Sequence, residues 1–350
     1  MILLINLYDL TLPALTDLLE SWEEPRYRAK QLWTWLYQKR VDSFDVMTNL
    51  SKSLRERLKQ ETTIGTLHLV AEQISRDDTV KRLYRLPDGQ LIEAVLMEYD
   101  DARRTACIST QAGCAMSCVF CATGQMGFAR HLTAGEIVEQ AIHFARDLDT
   151  RNDRLSNVVL MGMGEPFHNY DQSVAAVHRL MSGLGIGARH ITISTVGMVP
   201  QIRRFADEGL QVRLAISLHA ATDDERNVLL PVNKRWPLND LIDACNYYIE
   251  QTGRRVTFEW AAISGENDTP QQAHALGKLL KGMLCHVNVI PLNPTGGYAG
   301  MPSAVRGIND FIDILSTYGV RATVRVRRGI DIDAGCGQLK ASVINPRTIE

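Results

Sequence analysis

No signal-peptide pattern opens this 350-residue chain: its first twelve residues, MILLINLYDLTL, have no basic n-region, and Asn6 and Asp9 break the apolar run well short of spanning length. Neither a secretory leader nor a membrane anchor is expected, and a cytoplasmic setting is. Low-complexity tracts are also missing, and 45% hydrophobic with 22% charged residues suits one large core with a smaller appended domain. There is no strong charge of either sign. A formal net charge of −2 does not by itself announce a nucleic-acid partner. Nor do the cysteines make an even set: there are seven, and four crowd into positions 107–121, too close together for a secreted disulfide framework. Metal or redox chemistry in a reducing compartment fits them better. The near-neutral total conceals one basic region, residues 26–59, with nine Lys/Arg against three Asp/Glu.

From about residue 8 to 60 the sequence reads as short amphipathic helices, in which Trp33, Leu36 and Tyr37 share an apolar face and basic side chains fill the other. A small helical accessory domain is expected over residues 1–62, its basic face suited to a nucleic-acid partner. Residues 64–99 alternate like strands, with Asp88-Gly89 as a turn between LYRLP and LIEAVLM, which predicts a hairpin region over 63–100 linking two domains. Beyond residue 104 strand and helix alternate six times, with TACIST, NVVLMG, HITIST, VRLAISL, VTFEWAAI and HVNVIPL as the strands. In the first helix Thr133 and Glu136 form a capping box, and Ile137, Ala141, Phe144, Ala145 and Leu148 follow one face. A last strand, RATVRVR, lies near 321–327. Fewer than eight units do not close a full barrel, so the expected fold is α/β, a partial (β/α)6 barrel over 101–329 followed by a tail over 330–350. Ligands of such folds bind beyond the carboxyl ends of the strands.

Cys114-x-x-x-Cys118-x-x-Cys121 falls in the loop after the first barrel strand, where three thiolates can reach one metal centre from a short stretch of backbone. Four irons need four ligands. Three cysteines leave one iron for an exchangeable ligand, such as the amino and carboxylate groups of S-adenosylmethionine (SAM). Electron transfer into that sulfonium yields a 5′-deoxyadenosyl radical able to attack an unactivated C–H bond, chemistry that belongs to the cofactor. In this spacing, and in its context of strand, loop and helix, the chain resembles the radical SAM superfamily. The competing assignment is zinc, which wants a fourth Cys or His, and His131 lies downstream as a candidate.

After the second strand, Gly162-Met163-Gly164-Glu165-Pro166 offers glycines for close backbone approach and a carboxylate for a ligand ammonium, although the same letters also make a plain strand-to-helix turn. The segment resembles the glycine-rich SAM motif of the superfamily. Ser194 ends the third strand; Ser217, Leu218 and His219 end the fourth; Asn293 ends the sixth. Singly, Ser194 can cap a turn, His219 can be a hydrogen-bonded core histidine and Asn293 can begin an Asn-Pro turn. Gathered on the rim that carries the cysteine loop, they read as a SAM pocket.

Two cysteines remain near this chemistry. Cys107 sits in the first strand, where it can be an inert core residue, and Cys336 sits in DAGCGQ, where flanking glycines would let the backbone enter a tight site. With these, the stretches ACISTQAGCAMSCVFCATGQMGF, GMGEP, SLHAATDDERNVLLPVNK and GIDIDAGCGQ, and the N-terminal RYRAKQLWTWLYQKRVDSFDVMTNLSKSLRERL, make the whole chain resemble the RlmN family of RNA methyltransferases. The resemblance implies a [4Fe-4S] cluster on Cys114, Cys118 and Cys121, two molecules of SAM per turnover, and methylation of adenine C2 in 23S rRNA and beside the anticodon of tRNA. It also implies an electron donor such as flavodoxin, no membrane, and a monomer. Cys336 then matches the cysteine that carries the methyl group, and Cys107 the one that later forms a transient disulfide with it. Glu93 matches the base that takes the C2 proton, with one residue more between it and Cys107; read from the residues alone it is a solvated strand position.

Two other activities use overlapping features. A Cfr-type relative would methylate adenine C8 with the same apparatus. A non-catalytic RNA-binding scaffold would hold zinc in the cysteine loop.

Overall fold

The computed structural model describes residues 4–339; residues 340–350, the end of the expected tail, lie outside the described residues. Ten strands form one sheet, numbered here in chain order: β1 (His68–Ile74), β2 (Val80–Arg85), β3 (Leu91–Glu98), β4 (Arg104–Cys107), β5 (Asn157–Leu160), β6 (Ile191–Thr195), β7 (Arg213–Ser217), β8 (Val256–Ala262), β9 (Cys285–Pro291) and β10 (Ala322–Val324). Spatial order equals chain order. The pairs from β4 to β10 are all parallel, while β1 to β4 pair antiparallel. The first and last strands do not meet, so the barrel is open.

The parallel part therefore has seven strands, because the final strand continues the sheet instead of ending it. Its strands from β4 to β9 are mostly buried, as expected where helices cover a parallel sheet, while β10 forms a more exposed edge. The capping box forms on helix Ala134–Thr150. The hairpin between β2 and β3 forms as read, with Gly89 at φ +86° in its turn. It is not a free linker, however: β3 pairs with β4 through Val95 and Cys107, making β1 to β3 an antiparallel extension of the barrel sheet.

Ahead of the sheet, helices Leu12–Ser21, Tyr27–Trp33 and Lys52–Glu61 bury Trp33, Leu36 and Tyr37. Thr11 and Ser51 cap two of them by accepting from the amides of Ala14 and Leu54. This unit sits against helix Ala134–Thr150, whose Gly135 amide donates to Asp9 Oδ1 at 2.8 Å, and one apolar core runs from it into the barrel. Five of its nine cations are engaged in ion pairs, which leaves Lys30, Lys39, Lys52 and Arg55 outside any ion pair among the described residues.

Candidate active site

Beyond β4 the chain makes a tight turn into the cysteine loop. Gly113 has φ +74°, and a Cβ there would fall 2.0 Å from the carbonyl oxygen of Gly127, so only glycine lets the two arms of the loop close. The Cys114 amide then donates to that carbonyl at 2.8 Å, and the Cys121 amide to Cys118 O at 3.2 Å. All three thiols face one cavity at the carboxyl ends of the parallel strands. Burial pushes the Cys114 thiol up to about 12 and raises those of Cys118 and Cys121; repulsion from the neighbouring loop cysteines adds to the rise at Cys114 and Cys118, and repulsion from Cys336 to that at Cys121.

Such a donor set fits an iron–sulfur cluster. Three buried thiols that repel one another on ionising need a cationic centre to hold them as thiolates. Zinc fits less well: at Zn–S distances of about 2.3 Å its ligands crowd one point, and among the described residues no three His, Cys, Asp or Glu side chains are placed to hold a single ion. His131, the candidate fourth ligand, does not line the cavity; its Nδ1 lies 3.0 Å from Gln111 Nε2.

The SAM-pocket candidates largely converge. Gly164, Glu165, Ser194, Ser217, His219 and Asn293 all line the same cavity as the cysteines. Gly164 has φ +100°, and a Cβ there would meet Gln111 Cβ at 2.5 Å. Glu165 is not simply held out for a ligand: its carboxylate accepts from the amides of Phe167 at 2.9 Å and Val196 at 2.8 Å, joining the loops after β5 and β6. Burial nevertheless pushes its carboxyl up to about 7. Each oxygen keeps a second lone pair for a donor in the cavity. His219, at φ +59°, accepts from the Ala261 amide through Nδ1 at 2.9 Å, and burial with Arg226 nearby lowers its pKa to about 3, so the ring is neutral with its proton on Nε2. Leu218 is the exception among these candidates. Its side chain is fully buried, its amide is used by Glu259 O and its carbonyl by Arg226, and it does not line the cavity.

Cys107 and Cys336 line the same cavity as the three-cysteine loop, although 228 residues lie between them in sequence. Asn293 Nδ2 donates to Cys336 O at 3.0 Å, and the Ala122 amide donates to Gly337 O at 2.7 Å.

 The two loops are thus tied by hydrogen bonds, and all seven cysteines are free thiols. Burial, and after it the nearby Cys336, pushes the Cys107 thiol up to about 12. Glu93 does not line the cavity. It is buried on β3, two residues from Val95, the strand partner of Cys107, and its Oε1 lies 3.7 Å from Nζ of the buried Lys81. It is therefore a buried paired carboxylate and not a solvated one.

Several residues of this region were not singled out by sequence. Arg325, just past β10, lines the cavity with Nη1 3.9 Å from Glu259 Oε2. Its position at a strand's carboxyl end was a usable signal, and so was a glutamate inside the otherwise apolar VTFEWAA. Arg226 is fully buried and donates to Leu218 O, Val196 O and Asn233 Oδ1. Nothing in the local sequence pattern separates it from a helix-surface arginine.

Known proteins match this arrangement along nearly the whole chain. Residues 5–64 match the ribosomal RNA large subunit methyltransferase N-terminal domain, and residues 108–275 match the radical SAM superfamily. A protein of Myxococcus xanthus named dual-specificity RNA methyltransferase RlmN 1 is 57% identical, covering 97% of this chain and 95% of its own length. The chain belongs to the RlmN family. A Geobacillus kaustophilus protein named as a probable RlmN is 47% identical over 96% of the chain and 92% of its own length. The crystal structure of a radical SAM methyltransferase from Sphaerobacter thermophilus, 49% identical, superposes with a TM-score of 0.94 and covers 97% of this chain and 100% of that one. RlmN proteins, as radical SAM enzymes, use a [4Fe-4S] cluster and SAM. Among the described residues no helix is long and apolar enough to cross a membrane.

Proposed function

We propose that this RlmN-family protein is a dual-specificity RNA methyltransferase, the activity named for its relatives, and that it methylates adenine C2 in 23S rRNA and beside the anticodon of tRNA. One observation carries the reading: Cys107 and Cys336, far apart in sequence, line the same cavity as Cys114, Cys118 and Cys121. Adenine C2 is electrophilic, so a methyl cation finds no nucleophile there, and a second route to the carbon is needed. When bound, the cluster and SAM supply the methyl group and the carbon radical that activates it.

The chain's own residues do the rest. Cys114, Cys118 and Cys121 hold the cluster, while Gly164, Glu165, Ser194, Ser217, His219 and Asn293 surround SAM. Cys336 carries the methyl as a thioether and joins the base through it. Glu93, buried beside Lys81 on the strand next to Cys107, takes the C2 proton, a role that requires it to be uncovered when RNA binds. Cys107 attacks the Cys336 sulfur, so that a disulfide forms as the bond from Cys336 to the transferred carbon breaks; the electron pair of that bond stays on the carbon, which takes a proton to become the methyl group. A cytoplasmic monomer receiving electrons from a donor such as flavodoxin completes the proposal.

Anaerobic reconstitution with SAM, reductant and RNA fragments, followed by mass spectrometry of the nucleosides, tests it. 2-Methyladenosine is the expected product. 8-Methyladenosine would move the protein to Cfr-type chemistry, and colourless protein that holds zinc and leaves the RNA unmodified would make it a scaffold.

A further inference from the structure

Between Arg328 and Ala334, both of which line the cavity, the tail that carries Cys336 passes the turn between β1 and β2, residues 75–79, and that turn grips it. Asp331 accepts from Ser75 Oγ and, at 3.2 Å, from the Arg76 amide. Asp77 accepts from the Gly329 amide at 3.0 Å, and Arg328 Nη1 reaches back to Asp77 O at 3.4 Å. Gly329 has φ +62°, and a Cβ there would lie 2.9 Å from Thr79 Cγ2, so tail and turn touch without room for a side chain. One strand further in, Nζ of buried Lys81 lies 3.4 Å from Asp333 O and 3.7 Å from Glu93 Oε1.

The far end of the tail is held by different elements. Asn293 bonds Cys336 O, the Ala122 amide bonds Gly337 O, and Thr123 Oγ1 donates to Leu339 O at 2.6 Å. The grip at residues 329–333 and the grip at 336–339 leave a short span around Gly335 between them. Gly335 is itself so close to Asn293 that a Cβ would meet Nδ2 at 2.7 Å.

We propose that the turn between β1 and β2 is a docking clamp for the reactive tail, in which Ser75, Asp77 and Lys81 are positioning residues that confine Cys336 to the reach of Cys107. Its bearing on catalysis rests on the proposed role of Cys336; the docking itself does not. A tethered thiol meets its partner at an effective concentration set by the length of free chain between anchors, so releasing the upstream anchor lengthens the tether and dilutes the thiol. The antiparallel extension of the sheet thereby has a task that the barrel alone does not perform, since neither Asp77 nor Asp331 lines the cavity.

The test is the double variant Asp77→Ala/Asp331→Ala in the cluster-loaded full chain, beside Asp77→Asn, which keeps an acceptor oxygen for Gly329. Hydrogen exchange of the tail peptide, read by mass spectrometry, should quicken at least about tenfold in the double variant, as expected on losing charge-assisted hydrogen bonds, and should stay near wild type in Asp77→Asn. In single turnover the methylated fraction of Cys336 should form more slowly, with the KM for SAM unchanged. Wild-type exchange in the double variant would overturn the clamp. Faster exchange with an unchanged methylation rate would overturn its positioning role. A wild-type protein that never carries methyl on Cys336 would instead remove the functional reading and leave the exchange result to judge the clamp alone.

Discussion

Replacing Arg226 by Met keeps the bulk of the side chain and removes its donors. The guanidinium is fully buried, has no carboxylate within 4.0 Å among the described residues, and donates to Leu218 O at 3.1 Å, Val196 O at 2.5 Å, Asn233 Oδ1 at 2.8 Å and Ser217 O at 3.3 Å. Three of these acceptors are backbone carbonyls at the ends of β6 and β7, Ser217 being the last residue of β7 and Val196 and Leu218 lying just past the two strands. At about 1.5 kcal/mol for each of the three shorter bonds from a charged donor, the loss is roughly 4 kcal/mol. For a chain of this size, with an unfolding entropy of about 0.7 kcal/mol/K, that corresponds to a fall in melting temperature of roughly 6 °C. Val196 and Ser217 line the cavity, so SAM affinity should fall with stability. Arg226→Lys, with three donors and no fork, should lie between the two. The assays are thermal melting of the anaerobic holoprotein and SAM binding by calorimetry. An Arg226→Met protein that melts within a degree or two of wild type and binds SAM normally would refute the view that this side chain holds the rim together.

Replacing any one of Cys114, Cys118 or Cys121 by Ala should remove most of the iron, expected at about four atoms per chain, together with SAM cleavage; full iron in any single variant would contradict the shared cluster. With Cys107→Ala, incubation with SAM, reductant and RNA should build up a ribonuclease-sensitive covalent band on denaturing gels, absent when Cys336 is also Ala. Normal turnover by that variant would show that Cys107 does not release the product. Neutralising Lys30, Lys39, Lys52 and Arg55 to Gln should reduce the slope of log affinity for RNA against log salt by up to about 3, at roughly 0.7–0.9 per lost phosphate contact. An unchanged slope would place RNA docking elsewhere.

The alternation of strand and helix was legible because buried parallel strands are continuous apolar runs bounded by turn residues, and the helices between them carry one apolar face. The last strand was read, but its part in the parallel sheet was not: Ala322–Val324 pairs with β9 over three residues, and pairing is a relation between distant segments. The cysteine loop was legible from spacing alone, and its rim partners from their places at strand ends. Glu93 shows the limit. Its alternation on β3 looks like that of a half-exposed strand, and only the fold reveals that it is buried beside Lys81. Leu218 shows the converse, since a residue between two cavity-lining neighbours points the other way in the local backbone and enters the core.

The polar rim follows from how the sheet ends. Inside the ladder each strand satisfies the amides and carbonyls of its neighbours, and beyond the last paired residue those groups still lie buried among the loops. Side chains take over: Glu165 accepts the Val196 and Phe167 amides, Gln140 brackets the amide and carbonyl of Ser109, and Asn267 joins His219 O, Ala261 O and the Ile263 amide. The Glu165–Val196, Gln140–Ser109 and Asn267–His219 ties join segments distant in sequence, which fixes the spacing of neighbouring strand ends. Gln111 continues the pattern, since its Oε1 accepts the Glu165 amide at 2.8 Å and so turns Nε2 toward His131 and His168, each 3.0 Å away. With both Nδ1 atoms accepting, neutral His131 and His168 carry their protons on Nε2. The rim is thus assembled from buried polar residues that the end of the sheet requires, and Glu165 and His219 among them also line the cavity that carries the cysteines.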